Sequence, residues 1–234
     1  MLCMGEISPQ LADNEAWVDQ TFEKCDDILH RQVYLGQGRQ EGLLVYVEVA
    51  VSNLMLEEHV IGLSDVQPLK SYEEGKAALL AGNGLLFLDG DTNCYKISSK
   101  GYPGLGVKKA ENEKVIRGSQ EAFTESEKIN VALIRKRLRD SRMKVEEQTV
   151  GVRSHTMTAL VYMEDLIYQG LLTTMKQQLQ RYEIDGILDS GMLEQLSEKH
   201  WLSPFPQFQT TERPDRAAAA VLEGRIVLVT DHSP

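Results

Sequence analysis

The sequence predicts an α/β fold: two related α/β lobes with mixed sheets, joined by a central basic helix. Three observations carry this. Leu44-Val45-Tyr46-Val47-Glu48 is echoed by Leu160-Val161-Tyr162-Met163-Glu164, a β-branched and aromatic composition that suits a strand. Leu79-Leu80-Ala81-Gly82 and the apolar run 85–89 are echoed by Val221-Leu222-Glu223-Gly224 and the run 226–231. In both halves the glycine lies seven residues before an aspartate. Between the halves, Arg135, Lys136, Arg137, Arg139, Arg142 and Lys144 crowd one stretch. Two similar supersecondary patterns in tandem point to a duplicated unit. The expected boundaries are 1–110 for the first lobe with an N-terminal extension, 111–150 for the connecting helix and 151–234 for the second lobe.

Taken in order, residues 14–29 read as a helix with Trp17, Phe22 and Cys25 or Leu29 on a sparse apolar side. Gly36, Gly38 and Gly42 open a loop, and 43–51 is a strand. Residues 54–61 read as a short helix, and Pro68 ends that region. Ser71 and Glu74 form a capping box for a helix that Gly82 closes. Residues 85–88 are a buried strand, Asp89-Gly90 a turn, and 95–97 the hairpin partner. Residues 101–106 (GYPGLG) are a loop. Thr124 and Glu127 make a second capping box. The helix it opens carries Val131, Ile134 and Leu138 on one face and the cations in its second half, where the helix dipole favours them. The second lobe then begins with the 160–164 strand. Ser203-Pro204-Phe205-Pro206-Gln207 is too proline-rich for helix or central strand. The last helix has Pro214 in its first turn, Asp215 at its positive end and the smooth alanine run 217–220. The sequence stops just after a strand, which reads as the end of a fragment.

Composition narrows the function classes. The 234 residues carry a net charge of −10, with pI about 5.1. Phosphate neutralisation needs a basic surface, so free nucleic acid is not an expected partner. No apolar run approaches the ~18 residues of a membrane span, and no secretory signal precedes the first lobe. Cys3, Cys25 and Cys94 are scattered and odd in number, which reads as reduced thiols. His30, His59, His155, His200 and His232 are dispersed without ligand spacing, so neither a metal nor another cofactor is expected.

Catalytic patterns are thin. Leu85-Leu86-Phe87-Leu88-Asp89-Gly90-Asp91 resembles the nucleophile motif of haloacid-dehalogenase-type phosphatases, with Asp89 as nucleophile and Asp91 as acid/base. The residues that follow, Thr92-Asn93, depart from that motif. Asp-Gly-Asp is equally an ordinary hairpin turn. The Gly36/Gly38/Gly42 pattern precedes a strand, whereas a dinucleotide fingerprint follows one. The chain is therefore read as no enzyme, with phosphatase as a remote alternative. Arg117, Arg135, Arg137, Arg213 and Arg216 suit bidentate pairing with carboxylates. Arg117 and Arg213 stand beside a Gly or Pro turn that aims the side chain, which favours structural pairing.

Several stretches together carry a resemblance. Arg117-Gly118, Phe123-Thr124-Glu125, Asn130 and Leu133-Ile134-Arg135-x-Arg137 are similar to the RG…GFTE…N…LIRRR signature of spore germinant receptor A subunits, the GerA family. Residues 185–191 match its DGILDSG. Residues 203–207 and 211–215 match its SPFPQ…TERPD, and 222–225 its LEGR. The resemblance runs from about residue 85 to the end. Ser119, Gln120 and Ala122 stand where the family usually has Pro, Arg and Gly.

The resemblance implies the soluble N-terminal domain of such a subunit, two α/β lobes somewhat like small-molecule-binding proteins. It implies a role in receptor assembly and in transmitting nutrient germinant signals to ion release. The implied partners are the receptor B and C subunits, other A subunits and a small-molecule germinant. The implied location is the spore inner membrane, through a transmembrane region absent from this sequence, with this domain facing the spore core. Within this reading Arg117, Gly118, Phe123, Arg135, Arg137, Arg213 and Asp215 are the interaction candidates. Pro204 and Pro206 would fix a turn. Two alternatives stay open: germinant binding in the cleft between the lobes, and the SpoVAF-type paralogue of the family.

Overall fold

The computed structural model describes residues 5–36, 40–49, 66–98, 113, 117–182, 184–198 and 206–233. The expected helix at 54–61, the loop 101–106 and the turn at Pro204 lie outside them. The chain divides into two compact units. The first comprises 1–103 with 138–141, the second 104–137 with 142–234.

The first unit contains α1 (Leu11–Thr21), β1 (Ile28–Leu35), β2 (Gln40–Val47), β3 (Val66–Leu69), α2 (Tyr72–Leu80), β4 (Gly84–Leu88) and β5 (Cys94–Ile97). Its sheet runs β1-β2-β4-β5-β3. The helix expected over 14–29 ends at Thr21; Lys24 turns the chain with φ 60° and β1 takes the remainder. Pro68, read as ending the preceding region, instead lies within the strand β3. It sits at the edge of the sheet, where a missing N–H is tolerated. Leu43, Leu44, Val45, Leu79, Leu85, Leu86 and Phe87 are buried in the core, with Trp17 stacked on Tyr72 at 4.5 Å.

The second unit contains α3 (Glu127–Arg135), β6 (Met143–Val150), β7 (Thr156–Met163), α4 (Gln169–Gln180), α5 (Ser190–Ser197), α6 (Pro214–Leu222) and β8 (Val227–Thr230). Its sheet runs β6-β7-β8. Helices α3 and α6 pack on each other and on β7 and β8. Buried Ala217 and Ala218 are the part of the alanine run that faces inward. Residues Leu160 and Tyr162 face an apolar cluster with Leu172, Met175 and Leu179 of α4 and Leu193 of α5.

The α/β class and the two related halves hold. Every strand pairing among the described residues is antiparallel, where mixed sheets were expected. The repeat extends to register. Leu44 pairs with Leu86 in the first unit, and Leu160 with Leu228 in the second. Helices α2 and α6 end in the same Schellman turn. The N–H groups of Gly82 and Asn83 reach Leu79 and Ala78, and those of Gly224 and Arg225 reach Val221 and Ala220. After the last shared strand, Asp89 N–H donates to Glu41 O and Asp231 N–H to Met157 O, both at 3.0 Å. Gly90 N–H then donates to Pro9 O, and His232 N–H to Glu125 O, both at 2.8 Å. The accepting carbonyl lies one residue before the N-cap of α1 in one unit and of α3 in the other. Helix α3 is thus the counterpart of α1.

The central basic stretch is shorter as helix than expected. Helix α3 stops at Arg135, and Met143 to Val150 form a strand. The cations therefore divide between helix end, turn and strand. The Thr124–Glu127 capping box does not form. Thr124 N–H and Oγ1–H both go to Asn130 Oδ1, at 2.7 and 3.2 Å, and the helix starts two residues later, with Ser126 as N-cap. The Ser71 box half-forms: Ser71 Oγ accepts Glu74 N–H at 3.3 Å, while Glu74 Oε2 accepts from Lys70 N–H instead.

Candidate functional site: an ion-paired hub in the second unit

Three separated sequence blocks meet where the segment before α3, the end of α3 and the start of α6 come together. The first is the segment before α3. Asn130, 1 % exposed, locks it by accepting from Thr124 and returning Nδ2–H to Thr124 O at 2.7 Å. Buried Phe123 donates its N–H to Glu212 O at 2.8 Å, so this segment is bonded to the segment that opens α6.

The end of α3 supplies the second block. Arg135 is fully buried and donates Nη1–H to Met143 O at 3.0 Å, tying the helix end to the start of β6. Arg137 folds back: Nη1–H donates to Leu133 O at 2.9 Å, and Nη2–H to Ser119 Oγ at 2.9 Å and Glu121 Oε2 at 2.5 Å. Lys136 Nζ reaches the other Glu121 oxygen at 2.8 Å. Burial alone would raise the Glu121 carboxyl, but the hydrogen bonds from Lys136 and Arg137 outweigh it and hold the pKa below the usual range.

The third block is Thr211-Glu212-Arg213-Pro214-Asp215. Arg213 is the N-cap of α6 and makes a two-pronged pair with Asp215, Nε–H to Oδ1 at 3.1 Å and Nη2–H to Oδ2 at 2.5 Å. The hydrogen bond from Arg213 holds the Asp215 carboxyl low, and the pairing raises the arginine. Glu113 closes the cluster. Its carboxylate accepts from Thr211 Oγ1–H, Glu212 N–H and Arg216 Nη1–H, and its own N–H donates to Glu212 Oε1.

The 185–191 stretch is anchored separately. Asp185 O accepts from Arg153 and Ser154 N–H, Ile187 N–H donates to Ser154 Oγ, and Thr156 Oγ1–H donates to Ile187 O. Asp189 Oδ1 caps α5 by accepting Met192 N–H at 2.8 Å. The stretch pins the β6–β7 turn and starts a helix.

Phe123, Arg135, Arg137, Arg213 and Asp215 thus lie together at or beside the hub. Arg117 and Gly118 are exposed, Gly118 with φ 124°, and Arg117 has no ion pair with a described residue. Pro206 is exposed. Sequence reasoning missed the acids Glu113 and Glu121. Their partners are fixed by the fold over long separations, and the only signal is acid just upstream of a basic run. It also missed that Asp231 Oδ1 accepts Glu127 N–H at 2.8 Å and so caps α3 from the end of β8. Asp91 is occupied within its turn, accepting from Asn93 N–H and Nδ2–H and from Tyr95 Oη–H. That is the hairpin reading of Asp-Gly-Asp. No group of three or more metal-ligating side chains forms among the described residues, and none of their helices is long and apolar enough to cross a membrane.

What these arrangements do chemically is hold backbone segments with buried or half-buried charge pairs. Known proteins with the same fold and motifs place the chain. Residues 56–234 match the family model described as Bacillus/Clostridium GerA spore germination protein. The membrane protein YfkQ of Bacillus subtilis is 32% identical, over 97% of this chain and 48% of its own length. Spore germination protein KA of Bacillus subtilis is 29% identical, over 97% of this chain and 46% of its own. Stage V sporulation protein AF of the same organism is 32% identical over 73% of this chain. The chain spans about half the length of the first two relatives. The N-terminal domain of the A subunit of the Bacillus megaterium spore germinant receptor GerK3 shares the fold, with a TM-score of 0.75 at 23% identity over 99% of this chain and 95% of that one. The resemblance read from the motifs is borne out, and the chain belongs to the GerA family of spore germination proteins.

Proposed function

We propose that this domain is a non-catalytic, A-subunit-like part of a spore germinant receptor, working in receptor assembly and in passing the nutrient signal on to ion release. On this reading it faces the spore core from the inner membrane, beside B and C subunits and other A subunits. The observation that carries it is the convergence of three motif blocks on one charge-paired hub. Arg137 with Glu121, Arg213 with Asp215 and Arg216 with Glu113 hold the end of α3 and the start of α6 to the segments that precede these helices. Such a hub keeps a unit stiff, which suits a part that transmits displacement better than one that turns over a substrate.

The test is a charge swap in the full-length protein in spores. Glu121→Arg and Arg137→Glu are made singly and together, and ion release after nutrient addition is followed with subunit abundance by immunoblot. The single variants are expected to slow release at unchanged abundance, with partial recovery in the swap. Release at the parental rate in both single variants would sink the proposal.

A further inference from the structure

The repeat shows what lies beside the last strand in one unit and not in the other. In the first unit β4 is flanked on one side by β2 and on the other by β5. Its counterpart β8 is flanked by β7 alone among the described residues, and is an edge of its sheet. The free edge can be read from the ladder. Asp231 N–H points at Met157 O, so by alternation Val229 and Val227 also bond to β7, and the N–H and C=O of Leu228 and Thr230 point outward. The first-unit residue in the Leu228 place is Leu86, which pairs with Tyr95 of β5.

Beside this edge lies an open cavity of about 1370 Å³, lined by 226–230 and by Met175, Leu193, Phe208 and Ala217. It has the apolar flanks that a strand needs on its two faces. Thr230 lines it too; the residue is 2 % exposed, and its Oγ1 has no hydrogen-bond partner. Outward backbone donors and acceptors at a half-buried strand edge next to a groove, as at Leu228, are a template for strand addition.

We propose that the outer edge of β8 is a strand-acceptor site, filled by an extended segment antiparallel to β8 in the place that β5 fills beside β4. The occupant is the stretch that follows the matching position in the longer members of the family. Two observations select it over a strand from another molecule. First, the chain leaves β8 as it leaves β4. Gly90 and His232 both take positive φ, 80° and 63°, and each donates its N–H to the carbonyl just before the N-cap of the first helix described in its unit, α1 and α3. In the first unit this turn delivers the chain to β5, six residues after the end of β4. The same path from Thr230 leads past position 234, along the free edge. Second, the relatives YfkQ and protein KA are about twice as long as this chain, and the structural match is the N-terminal domain of a longer subunit. The inference rests on the repeat and is independent of the receptor reading.

The experiment compares amide hydrogen exchange in two proteins: residues 1–234, and the same residues extended by the ten that follow the matching position in protein KA of Bacillus subtilis. In residues 1–234 the Val229 amide is expected to be protected and the Leu228 amide to exchange freely. In the extended protein Leu228 is expected to slow by about 100-fold or more, the protection given by a ladder hydrogen bond in a stable sheet. Leu228→Pro removes the outward N–H and no N–H that bonds to β7, so in the extended protein it should free the added segment while Val229 stays protected. Free exchange of Leu228 in the extended protein overturns the proposal. Slowing of Leu228 in residues 1–234 that grows with protein concentration overturns the assigned occupant in favour of a second copy.

Discussion

Gly224 is the position where one added carbon tests the architecture most cleanly. It closes the Schellman turn of α6 with φ 80°. A Cβ there would stand 2.7 Å from the Leu166 carbonyl oxygen, a backbone atom that cannot swing aside. Gly90 has the same φ of 80°, and a Cβ there would meet nothing within 4 Å. Both alanine variants bear the left-handed strain of about 1–2 kcal/mol. Only Gly224→Ala adds the clash, an overpacking cost of about 1–3 kcal/mol. The expected losses are therefore about 1–2 kcal/mol for Gly90→Ala and about 2–5 kcal/mol for Gly224→Ala. Urea denaturation by circular dichroism reads the totals. Hydrogen exchange of peptides from β8 and β4 assigns each loss to its unit. Equal losses at the two glycines would refute the reasoning, because the backbone conformation would then account for everything and the close approach of Leu166 for nothing.

Three further outcomes follow from the same geometry. Burial pushes the Cys94 thiol up to about 12, so iodoacetamide at pH 8 should leave Cys94 unmodified in the native protein and label it at the rate at which the first unit opens, as mass spectrometry of the digested protein would show; fast native labelling counts against the buried placement. Asp215 and Glu121 are held low in the folded state, so the stability they contribute is present above the ordinary carboxylate pKa of about 4 and is lost as pH falls through the depressed folded values; Asp215→Asn should flatten the acid limb of a stability–pH profile, and an unchanged limb would argue that the pairs do not form in solution. Asp231→Ala should cost about 1 kcal/mol by uncapping α3, and Asp231→Asn less, since the amide oxygen can still accept from Glu127 N–H; the denaturation midpoints of the two variants decide it.

The legible parts of the sequence were those whose signal is local. The LVYxE strands, the Ser71 cap, the Gly82 and Gly224 stops and the Pro214 start each declare themselves within four or five residues. The parts that were misread depend on distant partners. Residues 143–150 continue a basic run that looks helical, yet their alternate side chains are answered from other elements: Glu146 by Tyr162 of β7 and Lys176 of α4, and Lys144 by Glu164. Pairing with β7 overrides the helical pattern. β1 is solvated over much of its length, so its hydrophobic alternation is weak. Thr124 looks like a cap until Asn130, six residues on, accepts its N–H. In the hub the arginines were visible as a group, whereas Glu113 and Glu121 were not, because no spacing rule connects Glu113 to Arg216.

Arg213 shows where the repeat was altered. The matching N-cap in the first unit is Ser71, a residue type that helix starts favour, and its hydroxyl accepts Glu74 N–H. In the second unit the cap is an arginine, which offers no acceptor and sets a positive charge at the positive end of α6. Asp215 neutralises it through two hydrogen bonds, but no side-chain oxygen caps the helix as the serine does in the first unit. A cap that departs from the local preference and needs a dedicated acid to offset it is better explained by what the segment does than by folding. Arg213→Ser, the first-unit solution, should then leave the isolated domain about as stable as before, since the gain of a capping oxygen and the removal of the cation oppose the loss of the pair. On the proposed receptor role, the same variant in spores should impair ion release after nutrient addition while the subunit remains abundant. Denaturation of the purified domain and release assays on the spores separate the two roles: a variant that unfolds easily makes Arg213 a structural residue only, and one that is both stable and fully active removes it from the signalling path.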